Sequence, residues 1–457
     1  MILKKLFIFL VLILLVSLHL FAENRSQKPI SFEEKFCKVV ELLDSKLEFE
    51  KKTTKKTEEF VKQGKDFLKK KQFKKAKTSF EQAIKESEKV YGKYSGFTIF
   101  LCLEIANTYS GCGKYNIAAK YMDKIFELNH ELCYKLSAKS FLNIMSNAFS
   151  IYALCLSNKK FNKCILFADK YISGLSKEEK IKYLSHFYFK LAIQLRYLNR
   201  ENEAINVLQK AIIWTDKKDS DLHRKLLINK AFCYSALNQF KKAQTVLKEA
   251  FKYVSKYSLV KKDRLLAELF SKQILLYIKE AGYLRKKKKF KKAQITLSKA
   301  KNMLNAINDT NFYKENLADI YLAHGWLCYD QGKYSDAIKF YKKTIEVFGR
   351  NFDSEYNRAA DTYLHLAGAY QNNKQAEKYY QRALTIANKT EKAKLLQATI
   401  LYFMGIYYCN NNYHELGIKN LQTAVDKLEE EPLKFNKKIE KIKAKINSYM
   451  KKFNPKS

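Results

Sequence analysis

The sequence predicts an all-α fold, a solenoid of stacked antiparallel helix hairpins. Three observations predict it: small residues recur at a fixed spacing along most of the chain, glycine and proline are scarce, and no segment alternates apolar and polar residues as a strand would. The 457 residues include 13 Gly and 3 Pro, and 47% are hydrophobic. The prolines are Pro29, Pro432 and Pro455, so none interrupts a helix between residues 30 and 431.

The repeating unit consists of a small residue, a second small residue about twelve positions later and a third marker seven positions beyond that. The nine first positions are Gly64, Ala106, Ala153, Ala192, Ala231, Ala281, Gly325, Ala367 and Gly405. Their partners are Ala76, Ala118, Cys164, Ala204, Ala243, Ala293, Ala337, Ala376 and Gly417. Two helices joined by a tight turn explain this spacing, because such helices approach closely only where both carry a small side chain.

As a set, the nine units resemble the tetratricopeptide repeat family from about residue 56 to residue 430. The resemblance implies a right-handed superhelical solenoid. Successive units are about 43 residues apart, whereas the family repeat has about 34, so the sequence predicts longer helices. The third unit is a poor copy, with Cys164 and Tyr171 where alanine is expected, and the turn of the eighth unit is about three residues shorter.

The first 22 residues have the pattern of an export signal, because Lys4 and Lys5 precede an apolar run that ends at Phe21-Ala22. The alternative is an uncleaved membrane anchor, since the run is at the upper end of signal length. Both interpretations predict an exported chain, periplasmic or extracellular. Residues 23–55 are predicted to form a charged tether with a short helix, residues 56–430 the solenoid, and residues 431–457 a basic capping helix.

The nine cysteines are not spaced as a disulfide framework. Most occupy helix positions where alanine or an aliphatic residue would serve, which is typical of small buried hydrophobic residues. Cys155 and Cys164 are the exception, because they lie on opposite sides of one hairpin turn, within reach of a disulfide. The odd total leaves at least one free thiol.

The formal net charge is +40, from 86 Lys and Arg against 46 Asp and Glu. One interpretation is that this charge is compositional, because an AT-rich genome produces many lysines without selection for binding. The other is a basic ridge, because lysines cluster at hairpin turns and the turns of a stacked solenoid share one edge. The predicted ridge comprises Lys69, Lys70, Lys71, Arg285, Lys286, Lys287, Lys288 and Lys289. Its expected partner is an envelope polymer or an anionic membrane, or nucleic acid if the chain is cytoplasmic.

The family resemblance places the residues three before and one after each first small residue in a groove lined by the first helices. Most of these residues are apolar, and the predicted partner groove comprises Phe189, Ile193, Ile228, Phe232, Leu322, Trp326 and Tyr402. The Lys and Asn combination with which the family grips a carboxylate is absent from these positions. An apolar groove suits a helical or extended segment of a protein partner, with Phe232 and Trp326 as anchors. Alternatively, these residues pack against each other or against a neighbouring chain.

We find no catalytic constellation, metal-ligand spacing or cofactor motif in the sequence. The seven histidines are isolated, and glycine is too sparse for a phosphate-binding loop. We therefore predict a non-enzymatic protein without a cofactor or a small-molecule substrate. Two functions remain: an exported scaffold that binds a protein or peptide partner in its groove, or a binder of an anionic surface or polymer through its lysine-rich edge.

Overall fold

The computed structural model describes residues 55–429 except 93–94, 128–136, 156, 217–218, 255–258, 308, 350–355, 372–373 and 390–393, together with residues 440, 444 and 446–448. The predicted signal, nearly all of the predicted tether and most of the predicted capping helix lie outside the described residues. Ile446 is described, and it is buried in a cluster with Leu421 and Leu428.

The described residues form nine helix hairpins, and no strand occurs among them. The first helices are α1 (Lys55–Lys69), α3 (Gly96–Gly111), α5 (Ala138–Leu154), α7 (Lys177–Tyr197), α9 (Ser220–Ala236), α11 (Leu259–Lys286), α13 (Thr310–Asp330), α15 (Tyr356–Tyr370) and α17 (Lys394–Asn410). The second helices are α2 (Phe73–Tyr91), α4 (Tyr115–Glu127), α6 (Asn158–Ser173), α8 (Glu201–Ile213), α10 (Phe240–Ala250), α12 (Phe290–Met303), α14 (Tyr334–Phe348), α16 (Lys374–Asn388) and α18 (His414–Glu429). The all-α prediction is confirmed, and with 28 residues α11 is the longest of these helices.

Most hairpin turns share one geometry. Seven first helices end five residues after their small residue, and seven second helices begin nine residues after it. In these seven turns one residue has a left-handed backbone, with φ between 56° and 73°: Lys71, Gly113, Asn199, Asn238, Lys288, Gly332 and Asn412. The next amide then donates to a carbonyl five residues earlier, as from Lys333 to Cys328 at 2.9 Å. This hydrogen bond closes the first helix and reverses the chain.

In the seven regular hairpins the small residues lie at the helix crossings, as the repeat predicts. All eighteen are buried. A Cβ atom added to Gly64 would lie 2.5 Å from the ring of Phe80, and one added to Gly325 would overlap the ring of Tyr341. The second helix therefore presses a large side chain directly onto the backbone of the first helix, which only a glycine permits at these two crossings.

The third hairpin departs from this arrangement. Helix α5 continues only one residue past Ala153, and α6 already begins at Asn158. In the register of the regular hairpins, the crossing positions are therefore Phe149 and Phe161 instead of Ala153 and Cys164. Both phenylalanines are at most 1% exposed, and their ring centroids are 5.2 Å apart. We correct the predicted crossing accordingly, because two interlocked rings replace the small residues there.

The described residues up to position 105, with residues 124–127, form one compact unit, and the remaining described residues form a second. Within the second unit each second helix from α8 to α16 packs against the first helix of the following hairpin, as α10 does against α11 and α14 against α15. One buried cluster, for example, joins Ile228 of α9, Leu247 of α10 and Leu269 of α11. These hairpins thus cover the apolar faces of their neighbours, as in a solenoid.

Candidate partner-binding site

The seven predicted groove residues differ in how much surface they leave open. Ile193 is 41% exposed, and Phe189, Phe232, Trp326 and Tyr402 are half-buried. The last two members, Ile228 and Leu322, are only 6% exposed.

The burial of Ile228 and Leu322 has a common cause. Helices α10 and α11 close over Ile228, and α14 and α15 close over Leu322, with Tyr341 in the same cluster. The position three before the small residue therefore belongs to the hydrophobic core in these two hairpins. We remove both residues from the candidate groove.

Phe232 lies beneath two cationic side chains. The guanidinium carbon of Arg196 is 5.8 Å from the centroid of its ring, and Nζ of Lys279 is 5.4 Å from it. Nη1 of Arg196 donates to Oδ1 of Asn229 at 2.5 Å. Burial, and then the nearby charge of Arg196, lower the pKa of Lys279. Three consecutive first helices, α7, α9 and α11, thus contribute to one apolar and cationic patch.

Trp326 is packed more tightly than Phe232. Its ring lies 5.8 Å from the guanidinium carbon of Arg285, whose Nη1 is 2.8 Å from Oδ2 of Asp330. The ring of His365 lies 5.5 Å from it on the following hairpin. The indole Nε1 is buried, and the described part of the chain supplies no hydrogen-bond partner for it. Because two neighbouring hairpins hold the indole, replacing Trp326 would disturb packing as well as any bound partner.

Other basic residues on the first helices pair with a carboxylate of an adjacent first helix. The pairs are Lys65 with Glu104 at 2.5 Å, Arg224 with Glu268 at 2.9 Å, Arg285 with Asp330 at 2.8 Å and Arg358 with Asp319 at 3.0 Å. Arg224 is 2% exposed, and it also binds Asp221 at 2.8 Å. In these places the charge is neutralised within the protein, which the patch over Phe232 does not achieve.

The residues of the patch that sequence reasoning missed are Arg196, Asn229 and Lys279. They lie four after or two before a first small residue, whereas the groove was predicted only from the positions three before and one after it. On a helix, positions two before, one after and four after are neighbours on one face. Reading that whole face would have identified them.

The lysines of the predicted ridge are exposed. In the first unit, Lys69 lies 3.4 Å from Asp66. In the turn between α11 and α12, Arg285 is neutralised by Asp330. Six further lysines in that turn and at the adjoining helix ends have no ion pair within the described ranges: Lys286, Lys287, Lys288, Lys289, Lys291 and Lys292. The turn between α11 and α12 is therefore a strongly basic surface, while a continuous ridge along all the turns stays a prediction.

Cys155 and Cys164 are free thiols in the structure. Burial raises the pKa of Cys155 to about 11 and that of Cys164 to about 12. Both side chains are therefore protonated at neutral pH, where a thiol is a poor nucleophile. The disulfide between them stays a prediction.

Among the described residues, no three His, Cys, Asp or Glu side chains come together as metal ligands. None of the helices in the described ranges combines the length and the apolar character of a membrane span.

The family comparison supports the repeat assignment directly at one hairpin. Residues 318–348 match the family model described as a tetratricopeptide repeat. This range covers the second half of α13, the turn and all of α14. A search of curated proteins found no match to the sequence.

Several solved structures are similar to the chain. A Rap protein complexed with Competence and Sporulation Factor is 16% identical, with a TM-score of 0.38 over 78% of this chain and 98% of that one. The apo form of the quorum sensor NprR from B. thuringiensis is 16% identical, with a TM-score of 0.41 over 82% and 97%. A tetratricopeptide repeat protein from Parabacteroides merdae is 12% identical, with a TM-score of 0.31 over 86% and 100%.

The assignment of the whole chain rests on its own hairpins. Seven of them have the same helix ends around the small residue, and the hairpin at residues 318–348 matches the family model. The chain is therefore a tetratricopeptide-like helical repeat protein.

Proposed function

We propose that this protein is a non-enzymatic interaction scaffold that binds a segment of a protein partner on the face formed by its first helices. The observation that carries the proposal is the open apolar surface on α7 and α9. Ile193 is 41% exposed there, and Phe189 and Phe232 are half-buried. Gly282 on α11 leaves space above the same face, because an added Cβ atom would meet nothing within 4 Å.

These features fit a peptide segment better than a flat protein surface. Aromatic and aliphatic side chains that keep part of their surface open are typical anchors for a partner. The space above Gly282 allows another backbone to approach closely. We therefore expect an extended or helical segment with apolar residues, whose anchors are Phe232 and Ile193.

Site-specific photo-crosslinking in the cells that produce the protein tests this proposal. A photoreactive phenylalanine analogue at position 193 should capture one or a few protein partners. The matched control is the same analogue at position 213, because Ile213 is 67% exposed but lies at the end of the second helix α8. Equal capture at both positions would contradict a binding face on the first helices.

A second candidate function rests on the basic turn between α11 and α12, with its six exposed lysines. Such a surface suits an anionic polymer or membrane, and export of the chain would place it beside envelope surfaces of this kind. The test is sedimentation with anionic lipid vesicles before and after the changes K286Q, K287Q, K288Q and K289Q are combined. We expect binding at about 50 mM salt that is lost near 0.5 M salt, whereas capture at position 193 should persist.

A further inference from the structure

We infer that the turns of the fifth and sixth hairpins form one surface that binds a bilayer containing anionic lipids, with Ile295 entering the lipid interface. The inference rests on the second candidate function, because it selects a membrane over a soluble polymer and adds an apolar contact. We call this surface the two-turn surface. It comprises the exposed residues Lys241, Lys242, Lys286, Lys287, Lys288, Lys289, Lys291, Lys292 and Ile295.

The two turns lie side by side in the structure. The beginning of α10 packs against the end of α11, where the ring centroids of Phe240 and Tyr283 are 5.7 Å apart. One turn further along α10, Nε2 of Gln244 donates to Oε2 of Glu280 at 2.9 Å. The lysines at the start of α10 are therefore neighbours of the lysines that follow α11. None of the eight lysines has an ion pair within the described parts of the chain.

The positive charge is local, whereas a lysine-rich composition alone would spread it over all the turns. Ten-residue windows at equivalent positions of the regular hairpins show the difference. Residues 285–294 include seven basic residues and no acidic one, and residues 235–244 include two and none. Residues 196–205 are balanced, residues 329–338 have one lysine against two aspartates, and residues 409–418 have no Lys or Arg. Such a cluster attracts an anionic surface over a Debye length of about 8–10 Å.

Ile295 adds an apolar side chain to this cluster. It is 58% exposed. On α12 it lies four residues after Lys291 and four before Lys299, so the three side chains share one face of the helix. A hydrated polymer offers nothing to an exposed isoleucine, but the interface of an anionic bilayer offers hydrocarbon beside its charged headgroups. The lysine stems can lie along that interface while their ammonium groups reach the phosphates.

The chemistry of the cations also favours lipid headgroups over a nucleic-acid strand. All eight cations are lysines, which act as point charges, whereas bidentate recognition of phosphate uses arginine. Arg285 is already bound by Asp330. Phe290 packs against the cluster of Ala293 and Leu297, so its ring is not free to stack on a base. Mobile headgroups require no fixed geometry, and each lysine near their surface contributes about 1 kcal/mol.

The first test measures how the full chain partitions onto vesicles of phosphatidylcholine with about one third phosphatidylglycerol at about 0.1 M salt. I295N should lower the partition coefficient about tenfold, because the apolar contact is lost. Its binding to soluble polyphosphate should equal that of the wild type. The matched control is L416N, because Leu416 is 42% exposed near the start of α18, in the hairpin whose window has no Lys or Arg. L416N should change neither binding.

A second measurement reports entry into the lipid directly. The fluorescence of I295W should be quenched by anionic vesicles whose acyl chains carry bromine, since the new indole lies among the lipid tails. The wild type supplies the background of Trp214 and Trp326, and L416W is the control that should not be quenched beyond it.

The last comparison separates the two-turn surface from the net charge of the protein. Combining K286Q, K287Q, K291Q and K292Q should lower the partition coefficient at least about a hundredfold. A variant of equal charge, which combines K177Q, K182Q, K339Q and K342Q at exposed lysines of α7 and α14, should lower it less than about threefold.

Equal losses in the two fourfold variants would overturn the two-turn surface. Partition of I295N like that of the wild type, or no quenching of I295W, would overturn the inference and leave the second candidate function intact. Binding to polyphosphate without any binding to vesicles would also overturn it, and the second candidate function would then apply to a polymer. Failure to bind either probe would contradict the inference and the second candidate function together.

Discussion

The third and the seventh hairpins show two ways to bring a pair of helices together. In the seventh hairpin, Gly325 lets the ring of Tyr341 lie directly on the backbone of α13. In the third hairpin, Phe149 and Phe161 occupy the crossing with ring centroids 5.2 Å apart. The seventh hairpin is also the one that matches the family model. A small residue at the crossing is therefore one solution, and a pair of interlocked rings is another.

The two hairpins differ in which residues stabilise the helix crossing. In the seventh hairpin the close packing depends on the absence of a side chain at Gly325, because an added atom there would collide with Tyr341. In the third hairpin the packing depends on the side chains of Phe149 and Phe161, because their rings fill the space between α5 and α6. Substitutions of opposite kind should therefore damage the two hairpins.

The largest effect is expected for Phe161→Ala in the third hairpin. Phe161 is fully buried and also lies 5.4 Å from the guanidinium carbon of Arg200. Its loss should leave a cavity at the crossing and lower the free energy of unfolding by about 3–5 kcal/mol. Urea unfolding measures the loss, and hydrogen exchange should locate it in α5 and α6.

The matched control for Phe161→Ala is Leu166→Ala on the same helix. Leu166 is 72% exposed, so its removal should change the free energy of unfolding by less than about 0.5 kcal/mol. A loss below 1 kcal/mol for Phe161→Ala would mean that the two rings do not form the crossing.

The second largest effect is expected from pH, which should change the stability of the seventh hairpin but not that of the third. His324 in α13 is 7% exposed and stacks on Phe340. Burial, and then the charge of Lys301, lower its pKa to about 4. No histidine occurs in α5 or α6. Acid should therefore weaken the seventh hairpin through a group that the third hairpin lacks.

Proton binding to His324 determines the direction in which pH changes the free energy of unfolding. Between pH 6.5 and pH 4 the unfolded chain protonates His324 while the folded chain keeps it neutral, so the free energy of unfolding decreases as the pH falls. The loss amounts to about 3 kcal/mol at pH 4. Urea midpoints at pH 7 and pH 5 should differ less in H324F than in the wild type. The control H186Q changes an exposed histidine and should leave the difference unchanged, and an unaltered difference in H324F would rule out His324 as its source.

Gly325→Ala should have the next largest effect. The new Cβ atom overlaps the ring of Tyr341, so we expect a loss of about 2 kcal/mol. Combining Gly325→Ala with Tyr341→Leu should cost less than the two changes added together, because the smaller side chain removes the collision. The measurement is a double-mutant cycle of urea unfolding.

Gly368→Ala is the matched control for Gly325→Ala. A Cβ atom at Gly368 would be 3.7 Å from the hydroxyl of Tyr329, an ordinary contact. Alanine is the better helix former, so this change should be neutral or slightly stabilising. If Gly325→Ala behaves like Gly368→Ala, close approach does not decide the seventh crossing.

The repeat predicted most of the fold, and the third hairpin shows where it failed. The spacing of small residues located the regular crossings because each turn has the same length. In the third hairpin, Ala153 and Cys164 are buried and fit the pattern, although the turn comes four residues earlier relative to Ala153 than in the regular hairpins, which places Phe149 and Phe161 at the crossing. Sequence spacing alone cannot distinguish a small residue at a crossing from one beside it.

The candidate site was predicted only in part. The open apolar residues Ile193 and Phe232 were found from the repeat, but Ile228 proved to be core because α10 and α11 close over it. Arg196 and Lys279 were missed because they meet only through the packing of three hairpins. Whether a residue is buried, and which residues from different hairpins come into contact, depends on tertiary structure, which the spacing of small residues does not describe.

The smallest effect is expected in the turn of the seventh hairpin. Gly332 has a φ of 73°, where a side chain is strained, so Gly332→Ala should lower the free energy of unfolding by about 1 kcal/mol. The opposite change is available in the preceding hairpin, because Lys288 has a φ of 56°. Lys288→Gly relieves the strain but gives the unfolded chain more freedom, so its effect should be close to zero. Thermal unfolding of both variants measures the difference, and a loss for Lys288→Gly as large as that for Gly332→Ala would show that left-handed strain does not set the stability of these turns.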